Sequence, residues 1–256
     1  MYDRNQIFSD EIKNKYPYLY ETHLHTNQVS ACGHNTPEEM VRACKEYGYT
    51  GIIVTEHNWG GNTCVDRSLP WGDFVEEFCK SYEAAKKEGE KIGLQVFFGW
   101  EAGYEGTEFL IYGLDKAWLL ANPEIKDASI EEQFRLVHAG GGIVVHAHPF
   151  REEDYIPEIR LFPEYVDGVE GVNAMHSNSR SMAHNDPEFD TLARNYAKEQ
   201  SFPMTAGSDI HTTRILGGGV LFEKPLKDIH DFTERILSKE GYLLTNGERY
   251  YKSKSE

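Results

Sequence analysis

Short apolar runs alternate along this chain with longer stretches whose apolar positions recur at helical spacing. "PYLYETH" opens as a short strand. "TPEEMVRACKEYGY" reads as a helix, with Thr36 as N-cap, Pro37 at the first helical position and Glu39 closing a capping box. Met40, Ala43, Cys44 and Tyr47 form its apolar face. "GIIVTEH" has the β-branched composition of a buried strand. "WGDFVEEFCKSYEAAKKEG" is a helix with Phe74, Phe78 and Tyr82 on one stripe, and "GLQVFFGWE" is the next strand. "TEFLIYGL" pairs beside it in an irregular excursion. "SIEEQFRLVHAGG" repeats the helix grammar, with Ser129 and Glu132 as capping box. "GIVVHAHP" and "YVDGVEGVNAMH" supply strands, and "DPEFDTLARNYAKEQ" a helix capped by Asp186 with Pro187 first. "FPMTAGSDIH" is the last clear strand. The tail holds "GGGVLF", a helix from about Leu226 to Ser238, and "GYLLTNGERYY".

Strand and helix alternate without tandem hairpins, which predicts a parallel sheet covered by helices in one α/β domain spanning residues 1–256. An open doubly wound sheet is one form of it. A closed or nearly closed barrel is the preferred form, because of what ends each strand. His23 and His25 follow the first strand, and His57 the second. Glu101 ends the third. His146 and His148, then His176, then Asp209 and His211 end the later ones. In a parallel barrel all these ends meet at one face, where barrel active sites lie. In H-x-H on a strand both side chains point to the same side, so two imidazoles can grip one cation. Imidazole with carboxylate suits zinc, iron or manganese. The ligands exceed the needs of one ion, so two divalent transition metals are expected and three are allowed.

Charge narrows the partners. The 42 acidic and 26 basic residues leave a formal net charge of −16. That balance lacks the basic footprint that extended nucleic acid requires. No apolar run is long enough to span a bilayer, and the N-terminal "MYDRNQIFSDEIKNKY" lacks the apolar stretch of a signal peptide. A cytoplasmic location is the expectation, with no membrane partner. Cys32, Cys44, Cys64 and Cys79 show no C-x-x-C spacing and read as free thiols.

"ETHLHT", "GIIVTEHN", "FFGWEA", "VVHAHPF" and "TAGSDIH" resemble, in order, the motifs of the polymerase and histidinol phosphatase (PHP) superfamily. The resemblance runs from about Tyr20 to His211. It implies a distorted (β/α)7 TIM-like barrel, a two- or three-metal centre and phosphoester hydrolysis. Carried over by motif, His23, His25, His57, Glu101, His148, Asp209 and His211 look like metal ligands, with Glu101 as the bridging carboxylate. The family usually offers an Asp or His to a third ion where this chain has "SACGHN". His34 is the preferred donor there, Cys32 the alternative, and an empty third site a further one.

Three further residues keep more than one reading. His146 either faces the same cavity or is a hydrogen-bonded core residue. His176 completes the metal shell, acts as general acid, or is a plain loop histidine. Arg151, three residues past His148, clamps a substrate phosphate or pairs with neighbouring acids at the surface. His138 reads as structural. The implied activity is hydrolysis of a small phosphomonoester by a metal-activated water, with Asp209 or a nearby histidine handling the proton. The alternatives are a metal-dependent amidohydrolase, which commonly bridges its metals with a carboxylated lysine, and a non-catalytic metal-binding module serving a partner. Substrate identity and oligomeric state stay open.

Overall fold

The computed structural model describes residues 9–253, so the first half of the charged N-terminal stretch lies outside the described residues. Ten strands form one sheet. β1 (Tyr18–Glu21), β2 (Gly51–Val54) and β3 (Gln95–Tyr104) run parallel, as do β5 (Ile143–His146), β6 (Gly168–Asn173) and β7 (Met204–Gly207). Between these triplets lies β4 (Thr107–Tyr112), antiparallel to both β3 and β5. β8 (Gly218–Phe222), β9 (Tyr242–Asn246) and β10 (Tyr250–Lys252) extend the other edge of β1 as antiparallel neighbours.

The sheet curls until its two parallel limbs meet. Just past β1 and β7, His25 N donates to Ile210 O at 2.9 Å and Ile210 N to His23 O at 3.1 Å. This single parallel bridge, Leu24 to Ile210, joins the first limb to the last. The result is an α/β fold with a curled sheet, not an even round of seven β/α repeats. The physical reason sits between β3 and β4. Only Glu105 and Gly106 connect them, at φ of 50° and 84°. Two residues with positive φ make a hairpin turn, whereas a parallel return needs a crossover of a dozen residues or more.

The helices follow their sequence signals closely. α1 (Asp10–Lys15) precedes the sheet. α2 (Pro37–Tyr47) and α5 (Ile130–Ala139) each carry the expected capping box, on Thr36 with Glu39 and on Ser129 with Glu132. α3 (Trp71–Ile92) buries Phe74 and Phe78, and α4 (Lys116–Ala121) packs near it. A short helix, α6 (Ala174–Ser177), follows β6, and α7 (Pro187–Gln200) is capped by Asp186. α8 (Ile229–Ser238) starts later than its pattern suggests. Asp228 caps it, while Leu226 is buried and its N–H is held by the Tyr20 hydroxyl. Among the described residues all four cysteines are free, and no helix is long and apolar enough to cross a membrane.

Gly219 fixes how closely β8 lies against β1. Its φ is 138°, and a Cβ there would stand 2.2 Å from the Tyr20 carbonyl oxygen. Gly219→Ala must therefore shift backbone beside the strand that leads to His23. We expect a loss of about 1–3 kcal/mol, the scale of a strained backbone position. Urea unfolding measures it, and an unchanged midpoint would contradict the tight approach.

Candidate metal centre

The strand ends gather their side chains on one side of the curled sheet. His23 and His25 lie past β1, and His57 past β2, where it bridges to Glu101. Glu101 stands inside β3, because that strand continues to Tyr104. His148 lies two residues past β5, and Asp209 and His211 follow β7. Gly207 makes room for this. A Cβ on it would lie 2.4 Å from the Cβ of His23.

Glu101 is the hub. Its Oε1 lies 3.1 Å from both His23 Nε2 and His148 Nε2, and its Oε2 lies 2.9 Å from His57 Nδ1 and 3.3 Å from His25 Nε2. Asp209 Oδ1 faces the same nitrogens, 3.5 Å from His23 Nε2 and 3.4 Å from His25 Nε2. Despite these distances, His23 Nε2, His25 Nε2 and His57 Nδ1 are buried without an aligned hydrogen-bond partner. Buried imidazole nitrogens left unpaired are costly. Here they converge with carboxylate oxygens, the arrangement a divalent cation resolves. Four overlapping sets could hold an ion: His25, His57 and His211; His23, His25 and Glu101; His23, His148 and Asp209; and His57, Glu101 and Glu108. Zinc, iron and manganese fit such donors.

The outer edges of the imidazoles are anchored. His23 Nδ1 meets Glu170 Oε1 at 2.9 Å, and His25 Nδ1 meets Ser30 Oγ at 3.2 Å. Ser30 in turn donates to Glu56 at 2.5 Å, and His211 Nδ1 meets the Asp209 carbonyl at 2.7 Å. Such partners fix ring orientation and tautomer, and raise ligand basicity. Backbone strain accompanies them. His148 and Asp209 adopt φ of 27° and 52°, unusual for residues with a Cβ.

The electrostatics reflect crowding of opposite charges. Burial pushes against ionisation of Glu101, but the His23 and His57 charges outweigh it and hold its pKa well below the carboxylate range. Asp209 is likewise held low against its burial, by His23 and Arg151. Burial also opposes charge on His23 and His57, yet the surrounding carboxylates raise both well above the usual imidazole value. Burial and then the His57 charge hold His25 well below it. Burial, then the Glu101 charge, raise Glu108 to about 7.

Several residues settle differently from their neighbours. His34 is exposed and lines an adjoining cleft, with only its backbone N–H bonded to His211 O. Cys32 turns towards the cluster instead. Burial raises its thiol pKa, but hydrogen bonds with His211 and His57 bring it down to about 7. His146 packs between Phe109 and Phe162 in the core, but its Nδ1 is buried without the hydrogen-bond partner the core reading expected. His138 is a surface partner of Asp167. His176 is buried, but its Nε2 accepts from Arg151 Nε at 2.9 Å and its Nδ1 meets Asp190 Oδ1 at 2.9 Å. Arg151 is not a surface residue. It is 4% exposed and also donates from Nη2 to Asp209 Oδ2 at 2.6 Å.

Sequence reasoning missed Glu108, 3.5 Å from both His57 and His148, and the supporting acids Glu56, Glu170 and Asp190. A signal existed for the strand acids. "TEFLIY" and "GVEGVN" each place one glutamate in an otherwise apolar or small-residue strand.

A cavity of about 480 Å³ lies over the cluster, lined by His57, Glu101, Glu108, His148, Arg151 and Asp209 among others. The adjoining cleft, about 820 Å³, shares Cys32, His184 and His211 with it and adds Arg180 and Arg214.

The overall arrangement is similar to that of known structures. A two-domain protein from Bacteroides vulgatus, described as containing a predicted PHP-like metal-dependent phosphoesterase, superposes with a TM-score of 0.63 at 17% identity. The match covers 91% of this chain and 66% of that one, so this chain spans just under two thirds of its length. An amidohydrolase from Chromobacterium violaceum, with bound sulfate and no metal, gives 0.50 at 14% identity, over 75% of this chain and 87% of that one. No curated protein sequence matches the chain. The PHP domain family model matches residues 21–245, which take in every residue of the histidine and carboxylate cluster. The chain belongs to the PHP domain family.

Proposed function

We propose that this chain is a metal-dependent phosphoesterase that hydrolyses a small phosphomonoester, using manganese, iron or zinc and a water nucleophile. The observation that carries the reading is Glu101, whose two oxygens each face two imidazoles, with three inward imidazole nitrogens left unpaired. That is the donor pattern of a bridged centre. We read the curled sheet as a distorted (β/α)7 barrel in which β4 has turned antiparallel. His23, His25, His57, Glu101, His148, Asp209 and His211 are our ligand set. Cys32 is better placed than His34 to add to it.

Ions bound there would supply Lewis acidity, lowering the pKa of a coordinated water and neutralising phosphoryl oxygens. The protein's own groups divide the remaining work. Asp209 is held ionised by its cationic neighbours, which suits its oxygens to binding an ion and makes it a weak proton acceptor. Glu108, raised to about 7, suits proton donation to the leaving oxygen. His176 has its Nε2 lone pair occupied by Arg151, which leaves it no proton to give on that edge. Arg151 lines the cavity and has one guanidinium nitrogen beyond those bonded to His176 and Asp209, enough for a single phosphate oxygen. The adjoining cleft has room for an organic leaving group. Amidohydrolase chemistry with a bridging lysine is disfavoured, because no lysine among the described residues is buried.

Chelated protein reconstituted with manganese, iron or zinc should carry more than one equivalent of metal and turn over p-nitrophenyl phosphate. Elemental analysis below half an equivalent would rule out the centre. Full metal without turnover of any small phosphomonoester would support the non-catalytic alternative.

Asp209→Asn and His23→Ala should each lower turnover by about a hundredfold or more, the scale of losing a positioned acid–base group or an ion. Circular dichroism should stay near wild type. Turnover within about threefold of wild type for either variant is incompatible with these roles.

Metal binding should also release protons. With pKa values raised well above the usual, His23 and His57 carry protons at neutral pH in the ion-free protein, and a ligating nitrogen must lose them. Affinity should therefore fall as pH falls, and a titration in weak buffer should acidify. Affinity unchanged between about pH 8 and 6 would contradict the ligand assignment.

A further inference from the structure

The cleft beside the metal cavity is built from different chemistry. Glu101, Glu105, Glu108 and Asp209 line the metal cavity. Among the described residues no aspartate or glutamate lines the adjoining cleft, in a chain that has 42 of them. Its permanently charged side chains are Arg180 and Arg214. The two spaces share Cys32, His184 and His211, so one bound molecule can reach into both.

Topology puts both arginines past strand ends. Arg180 lies in the loop between α6 and α7, and Arg214 in the loop between β7 and β8. Arg180 is oriented by neutral acceptors. Its Nε donates to Asn178 Oδ1 at 3.1 Å and its Nη2 to Leu216 O at 2.6 Å. Asn178 is itself buried and donates from Nδ2 to Asn246 O at 2.9 Å. These bonds fix the guanidinium and leave its charge in place. Arg214 is exposed and has no hydrogen-bond or ion-pair partner among the described residues. Met175, Met182 and Ile215 give the cleft apolar walls, and Thr212 and Thr213 add hydroxyls. In a protein with a formal net charge of −16, a cleft of about 820 Å³ that keeps two cations and no acid is a local positive field suited to an anion.

We propose that the phosphomonoester carries a second anionic group, a carboxylate or a phosphate, on its alcohol portion, and that Arg214 and Arg180 hold this group in the adjoining cleft. The inference rests on the phosphoesterase reading above and names its substrate class. The phosphoryl group lies over the histidine and carboxylate cluster, the carbon body follows the apolar walls, and the second anion ends at the guanidinium pair. Guanidinium donors match the oxygens of either anion. In the hydrolysis, water adds its oxygen to phosphorus, the bond from phosphorus to the alcohol oxygen breaks, and that oxygen takes up a proton. The second anion leaves unchanged on the alcohol.

The test uses manganese-loaded protein and alkyl phosphates of matched chain length, in several lengths, that end in methyl, ammonium, carboxylate or phosphate. At the best length an anion-ended ester should exceed the methyl-ended one in kcat/KM by about tenfold or more, the scale of one charge-assisted hydrogen bond. The ammonium-ended ester should fall below both. The carboxylate and phosphate arms tell which oxyanion the cleft takes. Arg214→Ala should cut the anion-to-methyl ratio by about fivefold or more, mainly through KM, and Arg214→Glu should cut it further. The ratio is taken within each variant, so a change in metal content does not enter it, and circular dichroism checks each fold. Anion-ended esters turned over no better than methyl-ended ones at any length would overturn this inference and leave the phosphoesterase reading standing. An anion preference that survives Arg214→Glu unchanged would do the same. No turnover of any ester by fully metal-loaded protein would remove the phosphoesterase reading itself, and this inference with it.

Discussion

Most of this structure answers to one constraint, an excess of buried carboxylate over buried cation. The strands of the curled sheet and their ends bury Glu21, Glu56, Glu101, Glu170 and Asp209, with Glu108 half-buried beside them. One buried guanidinium, Arg151, stands against them. Isolated carboxylates taken out of water would cost several kcal/mol each, or more, unless paired or protonated. The chain uses both escapes. Glu21 is raised to about 7 by burial even though it accepts hydrogen bonds from the Thr22, His23 and Ser208 N–H groups. Glu101 remains ionised because the His23 and His57 imidazoles beside it take on charge, and Asp209 because His23 and Arg151 stand beside it. An arrangement that asks buried histidines to be cations is one in which a divalent ion relieves both partners at once.

The fold explains how so many donors reach one point. Parallel strands deliver their C-terminal ends to one side, and the bridge at Leu24 and Ile210 draws the first and last limbs together there. His23 and Asp209 become neighbours through that bridge, although a long stretch of chain separates them. Gly207 permits the contact, and Gly219 lets the antiparallel extension seat behind β1. The positive φ values of His148 and Asp209 show that regular strand geometry alone does not aim these side chains. Hydrogen bonds hold the outer edges of the rings while the inner edges stay unpaired, so orientation is set before any ion arrives.

Local rules made much of this legible. Capping boxes at Thr36 and Ser129 announced their helices, because an N-cap is decided within four residues. The H-x-H pair and the run of histidines at strand ends announced a common site, because strand alternation is equally local. What escaped depended on long-range packing. Which of Cys32 and His34 turns towards the cluster is set by the loop between β1 and α2, and residue type pointed to His34, whose side chain is exposed. The partners of Arg151 come from β6 and β7 territory, far along the chain, so a surface ion pair and a buried anchor read alike in sequence. β8 to β10 lay in a tail to which sequence assigned no strand partner, because the antiparallel pairing of β8 to β1 leaves no mark of its own. Glu108 and Glu170 were visible as acids inside apolar strands, but only the curl tells which of them meets an imidazole.

The position of Arg151 bears on how such a centre divides fixed from exchangeable charge. An ion supplies strong polarisation, but it competes with protons for the same imidazole nitrogens and depends on supply. A guanidinium stays charged throughout any accessible pH, and its planar donors accept one geometry. Placing it between Asp209 and His176 ties down the outer oxygen of a carboxylate whose inner oxygen faces His23 and His25. The arginine therefore orients a carboxylate while sharing its charge, two tasks that bear on opposite edges of one side chain. Removing its charge and removing its hydrogen bonds are thus separable injuries. Lysine in its place would spare the first and inflict the second, which is why geometry, more than net charge, explains an arginine there.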